Sequence, residues 1–208
     1  MAFRRSAASR SPCASRPRPS PRHSPPSASG WTSAVRTEAA LGLGGNLGDP
    51  VAAFATALRE LREHPEVRLG RTSSVYRTAP WGLADQPDFA NMAALIETTL
   101  DPVALLELCA RLEKESGRER AGERWGPRTL DIDILTFGHA DIDRPTLRLP
   151  HPRMASRAFV LVPLTEISPD HPIGAETAST LLAGLTTDDV RLDEAGTARL
   201  RTLLADGS

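Results

Sequence analysis

The stretch TLDIDILTF, residues 129–137, constrains the fold more than any other part of this chain. Side chains at positions i and i+2 of a β-strand lie on the same face, about 6.5 Å apart. Asp131 and Asp133 are therefore predicted to point together, while the leucine and isoleucines between them point to the opposite face. We expect a strand that is apolar on one side and bears two adjacent carboxylates, whose like charges need compensation, on the other.

Two kinds of compensation are open for these carboxylates. The preceding loop, GRERAGERWGPR, is rich in arginine and punctuated by glycine and proline, and its arginines are Arg118, Arg120, Arg124 and Arg128. They could form a structural ion-pair cluster with the aspartates or a solvated loop with local pairs. Alternatively, Mg²⁺ favours one or two carboxylates plus substrate phosphates, and guanidinium groups bind phosphate oxygens bidentately. The stretch as a whole favours a magnesium–polyphosphate site.

Other nucleotide-binding signatures are absent from the sequence. A P-loop ends in Gly-Lys, but the only lysine, Lys114, lies inside a helical pattern. GLGGNLGD resembles a dinucleotide fingerprint, but Leu47 occupies the position of its third glycine. Protein-kinase motifs are missing as well. The sequence therefore points away from these nucleotide-binding classes and leaves the aspartate strand as the main signal.

Composition limits the remaining classes. Net charge is −1, and because residues 1–35 contain six arginines and no acidic residue, the rest of the chain carries −7. An acidic body gives no general case for nucleic-acid binding. Cys13 and Cys109 show no motif spacing, and no apolar run is long enough to span a membrane. We expect a cytoplasmic protein in a reducing compartment, with no membrane and no nucleic-acid partner.

The chain is predicted to contain a tail and one domain. Residues 1–35 are rich in Ser, Pro and Arg and have little to bury, so we expect a disordered tail. Three interpretations of this tail are open: a dispensable or over-extended start, a nucleic-acid or membrane tether, and a targeting segment. Residues 36–208 show no repeat and no second linker, so they are predicted to form a single domain.

Apolar periodicity in this domain predicts the order β-α-β-β-α-β. The predicted strands are TEAALGLGG, VRLGRTSSVYRT, FANMAALIETTL and TLDIDILTF, with a short extra strand at TLRLP. Asp49-Pro50 and Asp101-Pro102 are predicted to start the two helices, since Asp caps a helix and Pro suits its first turn. Further helical patterns lie near 154–166, 176–185 and 194–204. This order predicts an α+β fold with a ferredoxin-like core, an antiparallel sheet with helices on one face, and extra C-terminal helices.

A second group of residues suggests a site for a planar ligand. Phe89 and Asn91 are predicted to share a strand face, which places a stacking surface beside a hydrogen-bonding amide. Taken alone, the pair is also what an ordinary core aromatic and a turn asparagine would give. LPHPRMASRAF adds His151, Arg153 and Arg157, without a spacing that would indicate zinc.

These stretches resemble the 6-hydroxymethyl-7,8-dihydropterin pyrophosphokinases, enzymes of folate biosynthesis. The matching stretches are LGLGGNLGD, SSVYRTAPWG, DQPDFANMA, RWGPRTLDIDIL, LPHPRM and RAFVLVPLTEI, within residues 39–172. The resemblance implies transfer of the terminal diphosphate of ATP to the hydroxymethyl oxygen of the pterin, with two Mg²⁺ ions and release of AMP. Some positions depart from the family pattern: Gly45 replaces the usual serine, Phe89 a common tyrosine, Thr146 an arginine and Pro152 a tyrosine.

The resemblance also implies roles for individual residues. Asp131 and Asp133 would hold the metals, and Arg118 and Arg128 would stabilise the transferring group. The implied ATP contacts are Glu113, Arg120, Arg124, Ile134, Arg148, His151 and Arg157. The implied pterin pocket is Gly44, Thr78, Pro80, Trp81, Phe89, Asn91, Trp125 and Phe159, with Phe89 and Phe159 on either side of the ring.

Three further expectations complete this interpretation. Arg128 is expected to act on the transferred group rather than primarily as an ion-pair partner of the aspartates. Loops 77–88 and 117–128 are expected to close over the substrates. The protein is expected to act as a monomer with no obligate protein partner. Competing interpretations are another Mg-dependent nucleotidyl or phosphoryl transferase and a ferredoxin-like nucleic-acid-binding module, which the acidic body disfavours.

Overall fold

The structure is a computed structural model that describes residues 35–80, 86–117 and 127–206. All of these belong to one compact unit, residues 33–208. The predicted tail lies almost wholly outside the described residues, so its disorder stays a prediction. No helix in the described part of the chain has both the length and the apolar character needed to cross a membrane.

Strands and helices follow one another in the predicted order. The core elements are β1 (Thr37–Gly45), α1 (Pro50–Glu63), β2 (Val67–Thr72), β3 (Tyr76–Thr78), β4 (Phe89–Thr98), α2 (Pro102–Glu115) and β5 (Asp131–Phe137). The elements after the core are β6 (Ile142–Arg144), β7 (Leu147–Leu149), a 3₁₀ turn (Met154–Ser156), α3 (Ala158–Ile167), β8 (Pro172–Ile173), β9 (Glu176–Thr177), α4 (Ala178–Ala183), β10 (Val190–Leu192) and α5 (Glu194–Ala205). The α+β class and the βαββαβ core are confirmed.

The two helices of this core begin where the Asp-Pro pairs predict. Asp49 Oδ1 accepts a hydrogen bond from the N–H of Ala52 at 3.2 Å. Asp101 Oδ1 accepts from the N–H groups of Val103 and Ala104 at 2.9 and 2.8 Å. Each aspartate thus satisfies N–H groups that a first helical turn leaves without a partner.

The main sheet is antiparallel, with the order β10-β3-β4-β1-β5 and with β2 also paired to β4. The single second strand expected from VRLGRTSSVYRT is therefore two strands. Between these two strands, backbone N–H groups bind side chains instead of a neighbouring strand. The N–H of Ser74 donates to the Glu166 carboxylate at 2.9 Å, and the N–H of Val75 donates to Thr197 Oγ1 at 2.9 Å. These bonds replace ladder hydrogen bonds and interrupt the strand.

Helices cover the sheet on both faces. On one face α1 and α2 pack over a large apolar cluster that includes Leu41, Met92 and Ile132, as the ferredoxin-like plan predicts. On the other face α3 and α4 pack over a smaller cluster that includes Leu95 and Leu135. The expectation of helices on one face therefore holds for the core helices only, because the C-terminal helices add a second layer.

The C-terminal segment differs from its predicted pattern in several respects. The helix expected near 154–166 is a 3₁₀ turn followed by α3. The paired short strands β8 and β9, and the strand β10, which pairs with β3, were not predicted. Helix α5 packs against α1, and its Leu200 joins the larger apolar cluster. Strand β10 therefore extends the sheet edge beside β3, and α5 covers α1.

Candidate active site

Asp131 and Asp133 lie on β5 and line one cavity, as their strand spacing predicts. The apolar residues of the same stretch are buried in the cluster on the opposite, helix-covered face, and they are Leu130, Ile132 and Ile134. Across the β1–β5 ladder, Asp131 lies opposite Gly44 and Asp133 lies opposite Gly42. Because neither glycine has a side chain, the space beside the carboxylates stays open.

Negative and positive groups around Asp131 and Asp133 have opposing effects on the pKa of Asp133. Burial, followed by the neighbouring charge of Asp131, raises the pKa of Asp133, while His151, Arg157 and Arg128 oppose that rise. Arg128 forms an ion pair with Asp131. The backbone turn before β5 places the guanidinium group of Arg128 beside the first aspartate, and the expectation that Arg128 acts primarily on the transferred group stays a prediction. Two adjacent carboxylates repel one another, so positive charge beside them is favourable.

Positive groups also approach from the segment after β7. Arg157 and Arg153 line the cavity, and the guanidinium carbon of Arg157 lies 5.5 Å from the ring centroid of Phe159. The N–H of His151 donates to the carbonyl oxygen of Leu135 at 2.8 Å and so ties this segment to β5. Burial lowers the pKa of both His151 and Arg157, although the charge of Asp133 opposes each shift.

Aromatic and amide groups form another part of the cavity wall. Phe89 and Asn91 share a face of β4 and both line the cavity, as predicted. Asn91 Nδ2 donates to Thr78 Oγ1 at 2.9 Å, and both side chains are buried. Phe159 reaches the same cavity from α3. A flat apolar surface and a fixed amide therefore lie in the same space as the carboxylates.

The cavity has a volume of about 650 Å³ and unites most of the predicted site residues that lie within the described ranges. The predicted residues that line it are Gly44, Thr78, Phe89, Asn91, Arg128, Asp131, Asp133, Arg157 and Phe159. This volume is within the usual range of small-molecule sites, and apolar walls with a few converging polar groups are typical of them.

Five predicted residues within the described ranges do not line the cavity. Glu113 and Ile134 are buried on the helix-covered face, where Glu113 Oε1 accepts the N–H of Ile132 at 2.8 Å. Neither is among the described residues that line the cavity, and their assignment as ATP contacts stays a prediction. Arg148 is exposed and pairs with Asp143 at 2.8 Å. Pro80 and His151 are close in sequence to the lining residues Ala79 and Arg153, but they do not line the cavity themselves.

The other predicted site residues lie outside the described residues. They are Trp81, Arg118, Arg120, Arg124 and Trp125. The expected closure of loops 77–88 and 117–128 concerns largely the same segments, so it stays a prediction.

Sequence reasoning missed several residues that the structure brings to the cavity. Leu185, Thr186 and Asp189 line it from the segment before β10. No sequence signal marks them, since they arrive there through the pairing of β10 with β3. Arg153, which the sequence pattern placed beside Arg157 without a role, also lines the cavity.

An α+β sheet with paired carboxylates, arginines and an aromatic wall in one cavity defines a class, the enzymes that transfer phosphate groups to a small planar substrate. The sequence model of the family described as 7,8-dihydro-6-hydroxymethylpterin-pyrophosphokinase (HPPK) matches residues 40–169. This match covers more than half of the chain. The chain belongs to the 7,8-dihydro-6-hydroxymethylpterin-pyrophosphokinase family.

Curated relatives support this membership. A protein of Methylorubrum extorquens named 2-amino-4-hydroxy-6-hydroxymethyldihydropteridine pyrophosphokinase is 48% identical over 149 residues, covering 72% of this chain and 94% of the relative. A protein of the same name from Bacillus subtilis is 47% identical over 127 residues, covering 61% of this chain and 75% of the relative. A third, from Pseudomonas aeruginosa, is 47% identical over 128 residues, covering 62% and 78%.

Solved structures support the fold. The crystal structure of a Plasmodium falciparum HPPK-DHPS triple mutant with SDX-DHP matches with a TM-score of 0.57 and 16% identity. The match covers 74% of this chain and 45% of that one, so this chain spans less than half of the length of that protein. At this identity the likeness concerns the fold alone, and it is consistent with the ferredoxin-like core.

Proposed function

We propose that the chain transfers a diphosphate group from ATP to the hydroxymethyl group of 6-hydroxymethyl-7,8-dihydropterin, giving AMP and the pterin diphosphate, in folate biosynthesis. The observation that carries this proposal is the union in one cavity of two carboxylates, arginines, and an aromatic and amide wall. The carboxylates can hold the Mg²⁺ that accompanies a polyphosphate, and the arginines can bind the phosphate oxygens. The aromatic and amide wall suits a pterin ring. Membership in the pyrophosphokinase family supports the same activity.

Asp131 and Asp133 are assigned to Mg²⁺, with two ions expected. The described residues contain no set of three or more His, Cys, Asp or Glu that could hold a metal ion, so these residues alone do not form a complete cage. Two carboxylates on one strand face fit an ion whose other ligands are phosphate oxygens and water. Mg²⁺, when bound, supplies positive charge that offsets the negative charge of the phosphates. Burial and the charge of Asp131 raise the pKa of Asp133, and a bound cation would relieve the repulsion between the two carboxylates.

Arginine side chains are assigned to the ATP phosphates. Arg128 and Arg157 line the cavity near the carboxylates. During transfer, negative charge is spread over the moving group and the bridging oxygen, and fixed guanidinium groups aimed there stabilise it. Arg118 is assigned the same role from the sequence alone. The remaining ATP assignments, also from the sequence, are Glu113, Arg120, Arg124, Ile134, Arg148 and His151.

The aromatic wall is assigned to the pterin. Phe89 and Phe159 both line the cavity and offer apolar surface to a planar ring. Asn91 has its amide orientation fixed by its bond to Thr78, which prepares it to hydrogen-bond the ring edge. This part of the site would hold the hydroxymethyl oxygen in line with the β-phosphorus, and positioning of this kind removes much of the barrier to transfer.

Identification of the nucleotide product tests the proposal. The purified protein is incubated with Mg-ATP and 6-hydroxymethyl-7,8-dihydropterin, and products are separated by chromatography. We expect AMP and pterin diphosphate in equal amounts. Formation of ADP, release of free diphosphate, or turnover that does not depend on the pterin would contradict the proposal.

We further propose a cytoplasmic location and a monomeric state. Both rest on the sequence, since the two cysteines show no disulfide spacing and the relatives include single-activity pyrophosphokinases. Light scattering after gel filtration checks the second point, and a mass near 22.4 kDa is expected.

A further inference from the structure

Asn46 is a buried polar residue that no step of the proposed mechanism uses. Its side chain is 4% exposed, lies just after β1, and does not line the cavity. Its Nδ2 donates to Gln86 Oε1 at 3.0 Å and to the carbonyl oxygen of Pro87 at 3.2 Å. Its Oδ1 accepts the N–H of Arg128 at 2.9 Å. Both ends of the amide are therefore engaged, each with a different segment of the chain.

The backbone strengthens one of these two links. The N–H groups of Asn46 and Leu47 both donate to the carbonyl oxygen of Arg128, at 2.8 and 3.1 Å. The peptide groups on both sides of Arg128 are thus fixed to the end of β1. Gly45 permits this approach, because a Cβ atom there would overlap the carbonyl oxygen of Thr129.

The two segments that Asn46 joins lead to different parts of the cavity. Arg128 lines it beside Asp131, on the side assigned to the phosphates. Gln86 and Pro87 come directly before Asp88 and Phe89, and Phe89 lines the side assigned to the pterin. A single buried amide therefore fixes the spacing between the two sides. A change in the distance between the two segments would break hydrogen bonds of the buried Asn46 amide, and leaving a buried amide without partners is costly.

We propose that Asn46 is a positioning residue that couples the binding of ATP to the binding of the pterin. Ordering of Arg128 by the phosphates stabilises the hydrogen bonds of Asn46, which in turn order the segment that holds Phe89. By thermodynamic linkage the pterin has the same effect on ATP affinity. The proposal rests on the proposed assignment of Arg128 to the phosphates and Phe89 to the pterin.

Two variants separate the links. Asn46→Asp keeps an oxygen to accept the N–H of Arg128 but replaces the donor with an oxygen that faces Gln86 Oε1 and the Pro87 carbonyl. Asn46→Ala removes the side-chain hydrogen bonds of both links and leaves the two backbone bonds to the Arg128 carbonyl. Thr98→Val is the matched control. Thr98 is the last residue of β4, is 1% exposed, and donates a hydrogen bond from its Oγ1 to the carbonyl oxygen of Glu66, so this variant also removes a buried hydrogen bond.

The experiment is a calorimetric measurement of α,β-methylene-ATP affinity, with Mg²⁺, in the presence and absence of the pterin. The ratio of the two dissociation constants is the coupling factor. We expect about fivefold coupling or more in the wild type and in Thr98→Val. In Asn46→Asp the ratio falls to near one, while the affinity for the analogue alone changes by less than about threefold. Asn46→Ala, where it folds, also falls to near one.

Three results would overturn the inference. They are a wild-type ratio of one, a ratio in Asn46→Asp equal to the wild type, and an equal loss in Thr98→Val. The last would mean that lost stability, rather than the position of Asn46, changes the ratio. Failure of the proposed function is distinguishable, because it appears as wild-type protein that binds neither compound or makes no AMP.

Discussion

Asp133 lies directly opposite Gly42 in the antiparallel ladder of β5 and β1. Both residues line the cavity, and the glycine leaves open the space that a side chain would fill. A Cβ atom at Gly42 would lie 3.3 Å from a methyl carbon of Leu135. Glycine at the end of β1 therefore leaves room beside the carboxylates of β5.

Two glycines of this segment should respond differently to substitution. A Cβ atom at Gly44 would lie 3.4 Å from Asn91 Oδ1, an ordinary contact, whereas one at Gly45 would overlap the backbone of Thr129. We expect Gly44→Ala to change the free energy of unfolding by less than about 1 kcal/mol and to weaken pterin binding. Gly45→Ser should lower the free energy of unfolding by about 1–3 kcal/mol.

Denaturant unfolding and calorimetric pterin titration check this contrast. Gly45→Ser introduces the serine that the family resemblance implies at this position, so it tests whether this chain requires glycine there. Equal stability of Gly45→Ser and the wild type would contradict the close approach of β1 to residues 128–129.

Asp193 should matter for stability beyond the region that matches the family. It accepts the N–H of Gly196 at 2.8 Å as the N-cap of α5, and it pairs with Arg77 of β3 at 2.7 Å. We expect Asp193→Ala to lower the free energy of unfolding by about 1–2 kcal/mol, as N-cap removals do. Glu115→Ala breaks the exposed pair with Arg111 and should cost about 0.5 kcal/mol or less.

Urea unfolding of the two variants measures both values. Similar losses for Asp193→Ala and Glu115→Ala would show that α5 is not held to the sheet edge through Asp193.

His171 should make the protein less stable in mild acid. It is 4% exposed and shares a hydrogen bond of 2.7 Å with Thr136 Oγ1. Burial lowers its pKa, with Glu38 opposing the shift and Arg71 adding to it. The unfolded chain, whose histidine pKa is about 6.5, therefore binds a proton more readily than the fold. The stability from neutral His171 is present above about pH 6.5 and is lost as pH falls toward the lowered pKa.

The free energy of unfolding measured between pH 7 and pH 5 tests this sign. In His171→Gln the decrease should be smaller than in the wild type, by at most about 1.4 kcal/mol per pH unit. His139→Gln, at an exposed position, should keep the wild-type slope. A wild-type slope in His171→Gln would contradict the prediction.

Local patterns were predictable from the sequence, whereas long-range contacts were not. The shared face of the two aspartates follows from strand geometry, and the helix starts follow from Asp-Pro chemistry, so both were confirmed. The break between β2 and β3 depends on Ser74 and Val75 bonding to residues 92 and 122 positions away. The cavity wall at Leu185 depends similarly on the pairing of β10 with β3. No local signal encodes such partners.

The hydrogen bond of Glu113 is another long-range contact that local sequence patterns do not predict. Family resemblance marked it as an ATP contact, but its carboxylate is buried and accepts the backbone N–H of Ile132, between the two aspartates. Periodicity in α2 indicates which residues share a helix face, but it does not reveal that one face contains a carboxylate bonded to the neighbouring strand.

The central claim is that Asp131 and Asp133 form a site for magnesium and polyphosphate rather than a structural cluster. Replacing one of two adjacent, partly buried like charges with a neutral side chain should leave the free energy of unfolding unchanged or higher in magnesium-free buffer. Asp170→Asn, at an exposed position, is the control with the same change in net charge.

The most direct test is the affinity of Asp133→Asn for α,β-methylene-ATP in the presence of Mg²⁺, measured by calorimetry beside its unfolding free energy. The claim predicts that binding weakens about tenfold or more, a change of about 1.4 kcal/mol, while stability is retained. Wild-type affinity together with a loss of stability of about 1 kcal/mol or more would contradict it and would mark Asp133 as a structural residue.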